Sequence, residues 1–360
     1  MTARSVAVAG GSGFIGSQLV RQLVASGYDV RGSFRDDASL GWHVDDLDCS
    51  WHRVELDQPH RVAPFIRGAA AVVHCAGYVP PPGVGLRRAR QQAVSQLRGL
   101  LDTCLSEGVR RVVYVSSIST AMGDDPEVGE IDESARYVSG ATESAYFEVK
   151  SAMEAEVYRY VAAGLDVVLV MPTMVVGPND FRSCAGRFVR AVATGGLRLQ
   201  PEGITVNVVD IRDVAAGILA ALERGRRGRR YILGGTNVDL AELIEQIATV
   251  AKTPVPSQKI DVHRIAPLLN IAQRFSDRFT TSGIPPLLTA VELARRSGAV
   301  SRQRAAGELN APSRRLETTL RDTVQWFCRI GYLSWSNPRR GWRPPLDLPY
   351  SGLDRHRSFC

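Results

Sequence analysis

The sequence predicts an α/β fold in which a doubly wound parallel sheet is accompanied by a smaller C-terminal lobe. Three observations support this class. Short apolar runs alternate with helical patterns from the N-terminus onward, which is typical of a parallel sheet whose connections are helices. A glycine-rich turn, Gly10-Gly11-Ser12-Gly13-Phe14-Ile15-Gly16, joins the first strand to the first helix. Farther along, Tyr146 and Lys150 are spaced one helical turn apart.

The overall composition excludes several classes of protein. With 44% hydrophobic and 22% charged residues, the 360-residue chain is expected to be globular, and no apolar run is long enough to span a membrane. We expect no secretory leader, and six scattered cysteines indicate free thiols in a cytoplasmic protein. Neither cysteines nor histidines have metal-ligand spacing, so no metal is expected. The net charge of +7 and the run Arg224 to Arg230 indicate a solvated, arginine-rich surface and not a nucleic-acid site.

The glycine-rich turn predicts a dinucleotide-binding site. Val6 to Ala9 indicates a buried strand before it, and Ser17 to Val24 an amphipathic helix after it. The first glycine would permit the sharp turn, the second would let N–H groups approach a pyrophosphate, and the third would let the helix pack closely on the strand. The helix N-terminus would face the anion. The residues predicted to bind the cofactor here are Gly10, Gly13, Phe14, Ile15 and Gly16.

The end of the second strand bears on the choice between NADP and NAD. Asp29 to Phe34 predicts this strand, and Arg35 follows it, with the acids Asp36 and Asp37 only after the arginine. An acid at the strand end would accept hydrogen bonds from the ribose 2′-OH of NAD, whereas an arginine accommodates the 2′-phosphate of NADP. We therefore expect NADP(H) to be preferred, with NAD(H) as the alternative.

The third and fourth strands are expected to border the same groove. Val54 to Asp57 predicts the third strand, whose end would reach the adenine, and Ala70 to Gly77 predicts the fourth, which ends in small residues. The residues expected to contact the dinucleotide here are Leu56, Asp57, Ala76 and Gly77. His74 is predicted to be a packed core histidine, with a catalytic base as the alternative.

Hydroxyl side chains follow the fifth strand. A helix predicted from Arg87 to Glu107, closed by Gly108, leads to this strand, Arg111 to Val115. Ser116-Ser117-Ile118-Ser119-Thr120 comes next, and ligands bind at the carboxyl ends of parallel strands. We predict that Ser117 is the catalytic hydroxyl, with Ser119 as the alternative.

Tyr146 and Lys150 are the strongest catalytic candidates. Ser144 to Glu154 predicts a helix, so these two side chains share one face. A tyrosine, with an ordinary pKa of about 10, is a poor acid–base group at neutral pH, but a nearby cation favours phenolate. An ammonium can also hydrogen-bond a ribose hydroxyl. The chain has only three lysines, and neither Lys252 nor Lys259 follows a tyrosine at this spacing.

Together, the glycine-rich turn, Ser116-Ser117 and Tyr146-x-x-x-Lys150 resemble the extended short-chain dehydrogenase/reductase superfamily, the NAD-dependent epimerase/dehydratase family. Within it the chain is most similar to dihydroflavonol 4-reductase-like proteins, through the second-strand residues Val30, Arg31 and Arg35 and through Pro172 to Pro178. Further segments that resemble this superfamily are Val168 to Pro178, Val208 to Ala215, Arg230 to Gly235 and Leu320 to Phe327.

The resemblance implies a division of the chain. It covers about residues 1–333 and implies a Rossmann-type NAD(P)-binding domain over 1–235, with 177–205 contributing to the substrate side, and a substrate-binding lobe over 236–333. It also implies that Pro172 contacts the cofactor and that the protein is a homodimer. Gln96 stands where relatives carry an asparagine that orders the site. The arginine- and proline-rich tail, 334–360, is expected to be a loosely ordered terminus, with a cap over a neighbouring subunit or the substrate cleft as the alternative.

The leading functional hypothesis is hydride transfer between nicotinamide and a carbonyl or hydroxyl of a small organic substrate. Tyr146 would exchange a proton with the substrate oxygen, Lys150 would hold the nicotinamide ribose, and Ser117 would donate to the substrate oxygen. A sugar-nucleotide epimerase with tightly bound NAD is the first alternative. A dehydratase is disfavoured because Ile118-Ser119, and not an Asp-Glu pair, follows the serine. A non-catalytic nucleotide-binding protein is the second alternative, against which the intact Tyr-Lys pair argues.

Overall fold

A computed structural model of the protein describes residues 5–36, 40–41, 43–80, 83–123, 129–142, 144–180, 183–261, 296 and 298–333. The predicted tail, 334–360, and residues 262–295 of the predicted substrate lobe lie outside the described residues.

The described strands and helices alternate along the chain through most of its length. The strands are β1 (Ser5–Ala9), β2 (Asp29–Phe34), β3 (Ser50–Arg53), β4 (Ala71–His74), β5 (Arg111–Val115), β6 (Val167–Pro172), β7 (Met174–Val176), β8 (Leu199–Glu202), β9 (Thr205–Asp210), β10 (Arg230–Leu233), β11 (Thr236–Asp239) and β12 (Gln258–Asp261). The helices are α1 (Phe14–Ala25), α2 (Pro59–Ile66), α3 (Leu86–Ser106), α4 (Ala145–Ala162), α5 (Cys184–Ala193), α6 (Ile211–Arg224), α7 (Leu240–Ala251), α8 (Gln303–Leu309) and α9 (Leu316–Arg329).

Seven strands form one parallel sheet in the order β10-β6-β5-β4-β1-β2-β3. The chain runs outward from β1 to β3 and then crosses back to β4, which pairs with the other edge of β1. The strand order therefore reverses between β1 and β4. In open parallel sheets, the carboxyl ends of the strands form a ligand-binding crevice at this switch point. The predicted doubly wound parallel sheet is confirmed.

The apolar runs of the strands are explained by burial on both faces of the sheet. In β1, Ala7 and Ala9 pack in a core that also holds residues of α3 and α4, whereas Val6 and Val8 pack in a second core with residues of α1 and α6. A strand covered on both faces needs apolar residues at every position and not at alternate ones. This is why the sequence of β1 is continuously apolar.

A smaller lobe has its own core. Short sheets in the orders β11-β9-β7 and β12-β8 accompany α5, α7 and α9, whose buried residues form one cluster with Val176 and Val208. In contrast, Ala305 and Leu309 of α8 pack with the core of the main sheet. The division of the chain at residue 235 stays a prediction.

Several predicted boundaries need correction. The third strand is Ser50–Arg53 and not Val54 to Asp57: the N–H of Val54 makes a ladder bond to the carbonyl of Phe34 at 3.0 Å, and the chain then turns. In this turn Gln58 N–H bonds the carbonyl of Glu55 at 3.0 Å, and Pro59, which has no N–H to donate, then opens α2. In addition, α1 begins at Phe14 instead of Ser17, α4 continues to Ala162 instead of ending at Glu154, and β4 ends at His74.

Arg230 overturns part of the prediction of an exposed arginine run. This last arginine of the run opens β10 and is only 2% exposed, with its guanidinium 3.1 Å from the carboxylate of Glu154. Composition alone does not distinguish an arginine in a turn from one that enters a strand and carries its charge into the interior.

The cysteines divide into two groups. Cys49, Cys75, Cys104 and Cys328 are free thiols, as predicted. Cys184 is disulfide-bonded, so the prediction of free thiols was wrong for this residue. Scattered spacing along the chain does not indicate which cysteines the fold brings within bonding distance. Separately, among the described residues no helix has both the length and the apolar character needed to cross a bilayer.

Candidate active site

The glycine-rich turn approaches the loop after β4 very closely. Gly10 has a positive φ of 77°, which favours glycine, and the turn is closed by bonds from Gly11 N–H to Val8 O and from Gly13 N–H to Gly10 O. A Cβ placed on Gly10 would lie 2.7 Å from the backbone nitrogen of Ala76. The turn and this loop therefore form one wall at the switch point.

Gly16 is also needed for close approach, but to a different neighbour than predicted. A Cβ on this residue would collide with the carbonyl oxygen of Gly10 and with the backbone of Gly11. The first turn of α1 thus packs on the glycine-rich turn itself, whereas the sequence predicted packing on the strand. The missing side chain lets the start of the helix reach the crevice.

The N-terminus of α1 can accept an anion. Its first N–H groups, which belong to Phe14, Ile15 and Gly16, have no partner within a helix. Gly13, at the N-cap, supplies no side-chain bond, and the first turn contains no acidic residue. The positive end of the helix dipole is therefore available to a phosphate group. These features fit the pyrophosphate of a dinucleotide.

The predicted catalytic side chains meet beside this wall. The hydroxyl of Tyr146, in the first turns of α4, donates a hydrogen bond to Ser117 Oγ at 3.1 Å. Ser117 caps a 3₁₀ turn, Ile118–Ala121, by accepting a bond from Ser119 N–H at 3.2 Å. Ser119 itself is buried, and its hydroxyl has no hydrogen-bond partner among the described residues.

Lys150 lies one helical turn beyond Tyr146, with its ammonium 5.8 Å from the centre of the tyrosine ring. The side chain is only 5% exposed, and within the described chain its ammonium forms no ion pair. A Cβ on Gly77 would lie 3.0 Å from Lys150 Nζ. The loop after β4 thus leaves no room for a side chain on Gly10, and the ammonium leaves little room for one on Gly77, which brings both halves of the predicted site to one groove.

The other residues predicted to bind the cofactor differ in their exposure. Arg35 follows β2 with its side chain 87% exposed, 3.4 Å from the carboxylate of Asp36. Leu56 is buried, and Asp57 is exposed in the turn after β3. Pro172 ends β6 and is buried. The contacts of these residues with a dinucleotide stay predictions.

His74 is a packed core residue, as predicted. It is 1% exposed, and its ring lies 5.4 Å from that of Tyr114. Burial, together with the charge of Lys150, lowers the pKa of His74 to about 4, so that the imidazole is neutral at pH 7. Its ring nitrogens have no hydrogen-bond partner among the described residues. A neutral, enclosed imidazole with this pKa does not suit the role of a general base near neutral pH.

Gln96, which stands in place of the expected asparagine, is half-buried on α3. One helical turn earlier, Gln92 accepts a hydrogen bond from the hydroxyl of Tyr78 at 2.7 Å. Tyr78 belongs to the loop after β4 that borders the groove. The helix therefore does contact this loop, but through a glutamine that the sequence analysis did not single out.

Two carboxylates near the site were missed. Glu148 accepts hydrogen bonds from Tyr137 and Ser139, both at 2.7 Å, and so ties the loop before α4 to the helix. Although burial acts in the opposite direction, these bonds hold the pKa of Glu148 below its usual range. Glu154 accepts bonds from Ser116 and Thr120. Its position, eight residues after Tyr146 on the same helical face, is the signal that could have identified it.

Comparisons with known proteins give one consistent result. Residues 6–234 match the family model described as the NAD dependent epimerase/dehydratase family. A Synechocystis protein provisionally named dihydroflavonol 4-reductase is 27% identical over 337 residues, 91% of this chain and 95% of the relative. Sterol demethylase protein B of Methylococcus capsulatus is 26% identical over 328 residues, 91% and 99% of the two chains. Among solved structures, a nucleoside-diphosphate-sugar epimerase from Pseudomonas aeruginosa matches with a TM-score of 0.76 and 25% identity, covering 93% of this chain and 100% of that one.

Proposed function

Because the chain belongs to the NAD dependent epimerase/dehydratase family, we propose that it is a reductase that acts on a carbonyl of a small organic substrate through Ser117, Tyr146 and Lys150. The observation that carries this proposal is the 3.1 Å hydrogen bond between Tyr146 and Ser117, with a buried ammonium one helical turn away. Relatives with reductase names, such as the Synechocystis protein, support the direction of reaction.

Each of the three side chains has a distinct role in the proposed mechanism. When bound, the nicotinamide supplies or accepts the hydride. Ser117 donates a hydrogen bond to the substrate oxygen, and Tyr146 gives that oxygen a proton as it becomes an alcohol. Lys150 stabilises the resulting phenolate and holds the nicotinamide ribose. The absence of a competing ion pair among the described residues leaves its ammonium available for both tasks.

The same family supports a nicotinamide dinucleotide as the cofactor, and we propose that NADP(H) is preferred. The uncapped start of α1 would hold the pyrophosphate. The mostly exposed guanidinium of Arg35 is able to meet a 2′-phosphate, and its pairing with Asp36 at 3.4 Å is weak enough to exchange. No acid precedes Arg35 at the end of β2 to accept bonds from a ribose 2′-OH.

A sugar-nucleotide epimerase is the second candidate, supported by the likeness to the Pseudomonas aeruginosa structure. It would use the same three side chains but retain its NAD and regenerate it in each cycle. The two candidates differ in stoichiometry. Net consumption of NADPH with a carbonyl substrate indicates a reductase, whereas retained NAD without net consumption indicates an epimerase. NADPH binding without turnover on any substrate would support the non-catalytic alternative.

We also propose a cytoplasmic location and a homodimeric assembly. Four free thiols fit a reducing cytoplasm, although the disulfide-bonded Cys184 does not. The proposed homodimer rests on the family resemblance alone.

The mechanism is tested by replacing one hydroxyl. In a purified Tyr146→Phe enzyme, we expect NADPH-dependent turnover on a panel of ketones, flavanonols, steroids and nucleotide sugars to fall by about 10²- to 10⁴-fold, since general acid catalysis contributes that factor. The affinity for NADPH, measured by fluorescence titration, should not change. The matched control is Tyr160→Phe on the same helix, whose hydroxyl bonds Asp102 at 2.6 Å away from the groove. Near-normal turnover of Tyr146→Phe would refute the proposed role.

A further inference from the structure

We propose that Glu154 and Arg230 form a buried positioning pair that fixes the hydroxyl of Ser117 relative to Tyr146. This inference rests on the proposed function of Ser117 and Tyr146. In this proposal the ion pair lies beneath the site. The pair itself neither touches the substrate nor takes part in proton transfer.

Glu154 binds a residue on each side of Ser117 in the chain. Its carboxylate oxygen Oε2 accepts hydrogen bonds from Ser116 Oγ at 2.6 Å and from Thr120 Oγ1 at 2.7 Å. These residues flank Ser117 in the chain, one directly after β5 and one within the 3₁₀ turn. Glu154 is only 4% exposed, so water does not compete for these two hydrogen bonds. In such a buried setting the bonds restrict the positions of both hydroxyl groups strongly.

Arg230 completes the arrangement from the opposite side. Its Nε lies 3.1 Å from Glu154 Oε1, and one terminal nitrogen donates to Thr120 Oγ1 at 3.0 Å. The other terminal nitrogen donates to the carbonyl of Ala135 at 2.7 Å. The hydroxyl of Thr120 accepts from the guanidinium, and its single proton has two acceptors within reach, Glu154 Oε2 at 2.7 Å and the carbonyl of Ser117 at 2.9 Å. Its rotamer, and with it the turn that Ser117 caps, is held by both charges.

The pair also connects the turn to the catalytic helix. Glu154 belongs to α4, four residues after Lys150 and eight after Tyr146. The helix that carries the phenol thus reaches back to the turn that carries the serine, and the distance between their hydroxyls is set by a rigid link. Errors of about 1 Å in such a distance can cost about 100-fold in rate.

Stability alone does not account for this pair. Replacing a buried ion pair by apolar side chains of similar size is often neutral or stabilising, because desolvation of two charges offsets their attraction. A purely structural role would therefore be served as well by a leucine and a methionine. The hydrogen bonds to Ser116 and Thr120 are what such a replacement would remove.

The first test removes one hydroxyl and leaves both charges in place. In Thr120→Val we expect kcat to fall about 10- to 100-fold, with KM for the carbonyl substrate and the affinity for NADPH within about twofold of the wild type. The matched control is Thr323→Val, a fully buried threonine of α9 whose hydroxyl donates to Thr319 O at 2.7 Å. Thr323→Val also loses one buried hydroxyl hydrogen bond, but its kcat should stay within about twofold of the wild type. Equal kcat in the two variants would overturn the proposal.

The second test removes both charges together so that neither is left buried and unpaired. The double variant Glu154→Leu, Arg230→Met should fold, with a melting temperature near that of the wild type, and should show the same selective loss of kcat. Hydrogen exchange, followed by mass spectrometry, should show faster exchange of amides 117–121 in this variant and in Thr120→Val, but not in Thr323→Val.

The exchange measurement separates this proposal from the proposed function. If the wild type reduces no carbonyl on the panel, the proposed function fails, and the exchange rates alone decide whether the pair fixes the turn. Unchanged protection of 117–121 in both variants would overturn the inference. So would a double variant that is folded and fully active.

Discussion

Replacing Gly10 by alanine separates two physical demands on the glycine-rich turn. The first is the backbone conformation, since φ is 77° at this position, and an L-residue in the left-handed region costs about 1–2 kcal/mol. The second is space, because the new Cβ would lie 2.7 and 2.8 Å from the backbone nitrogen and Cα of Ala76. Reaching an ordinary contact of about 3.5 Å requires a retreat of roughly 0.8 Å.

Gly27, which follows the C-terminus of α1, provides a matched control. It also has a φ of 77°, but no described atom lies within 4 Å of a Cβ built on it. Gly27→Ala should therefore lower the free energy of unfolding by the conformational cost alone, about 1–2 kcal/mol. Gly10→Ala adds an overpacking cost of about 1–3 kcal/mol, for a total of about 2–5 kcal/mol.

The two variants should differ more in cofactor binding than in stability. The loop displaced by the new methyl group continues into Gly77, where a Cβ would lie only 3.0 Å from Lys150 Nζ. We expect Gly10→Ala to weaken NADPH binding at least about tenfold, equivalent to about 1.4 kcal/mol, and Gly27→Ala to leave it unchanged. Urea denaturation and fluorescence titration measure the two quantities. Equal losses of stability, or wild-type NADPH affinity in Gly10→Ala, would refute the reasoning.

Two further predictions concern the cofactor and the pH dependence of stability. Arg35→Ala should weaken binding of NADPH by about 10- to 100-fold, the value of a charge-assisted contact of about 1.5–3 kcal/mol, and leave NADH binding unchanged in parallel titrations. Burial raises the pKa of Asp180 to about 6, although bonds from Ser183 oppose the shift. Because the folded state binds this proton more tightly than the unfolded state, the stabilisation is complete below the unfolded pKa of 3.8 and is lost as pH rises through about 6. Asp180→Asn should therefore gain up to about 3 kcal/mol relative to the wild type between pH 4 and pH 8, measured by urea denaturation.

Each of these predictions has a clear contrary outcome. Arg61→Ala, an exposed arginine of α2, is the control for Arg35; an equal effect on NADPH and NADH would contradict recognition of the 2′-phosphate. For Asp180, a stability difference between variant and wild type that does not change with pH would show that this carboxyl does not titrate as described.

The periodicity of apolar residues and the positions of turn-forming residues were sufficient to predict the architecture of the main sheet. The second and fifth strands were predicted with their observed bounds, Asp29–Phe34 and Arg111–Val115. These bounds follow from local features, because β5 is apolar throughout from Val112 to Val115 and β2 begins just after the turn at Gly27. The third strand was misplaced because Val54, which makes one last ladder bond, and Leu56 are buried beyond the end of the strand. In a short apolar run, the sequence does not distinguish residues that are merely buried from residues that pair in a strand.

The sequence by itself determined the parallel α/β class, the glycine-rich turn and the Tyr146–Lys150 spacing, because each depends on residues that are close in the chain. Only the tertiary structure decided which serine meets the phenol, which loop closes against Gly10, and where Arg230 places its charge. Those contacts join residues 29, 66 and 76 positions apart. The physical reason is that the energy of a buried charge or a close backbone contact depends on its surroundings in space, which no local pattern records.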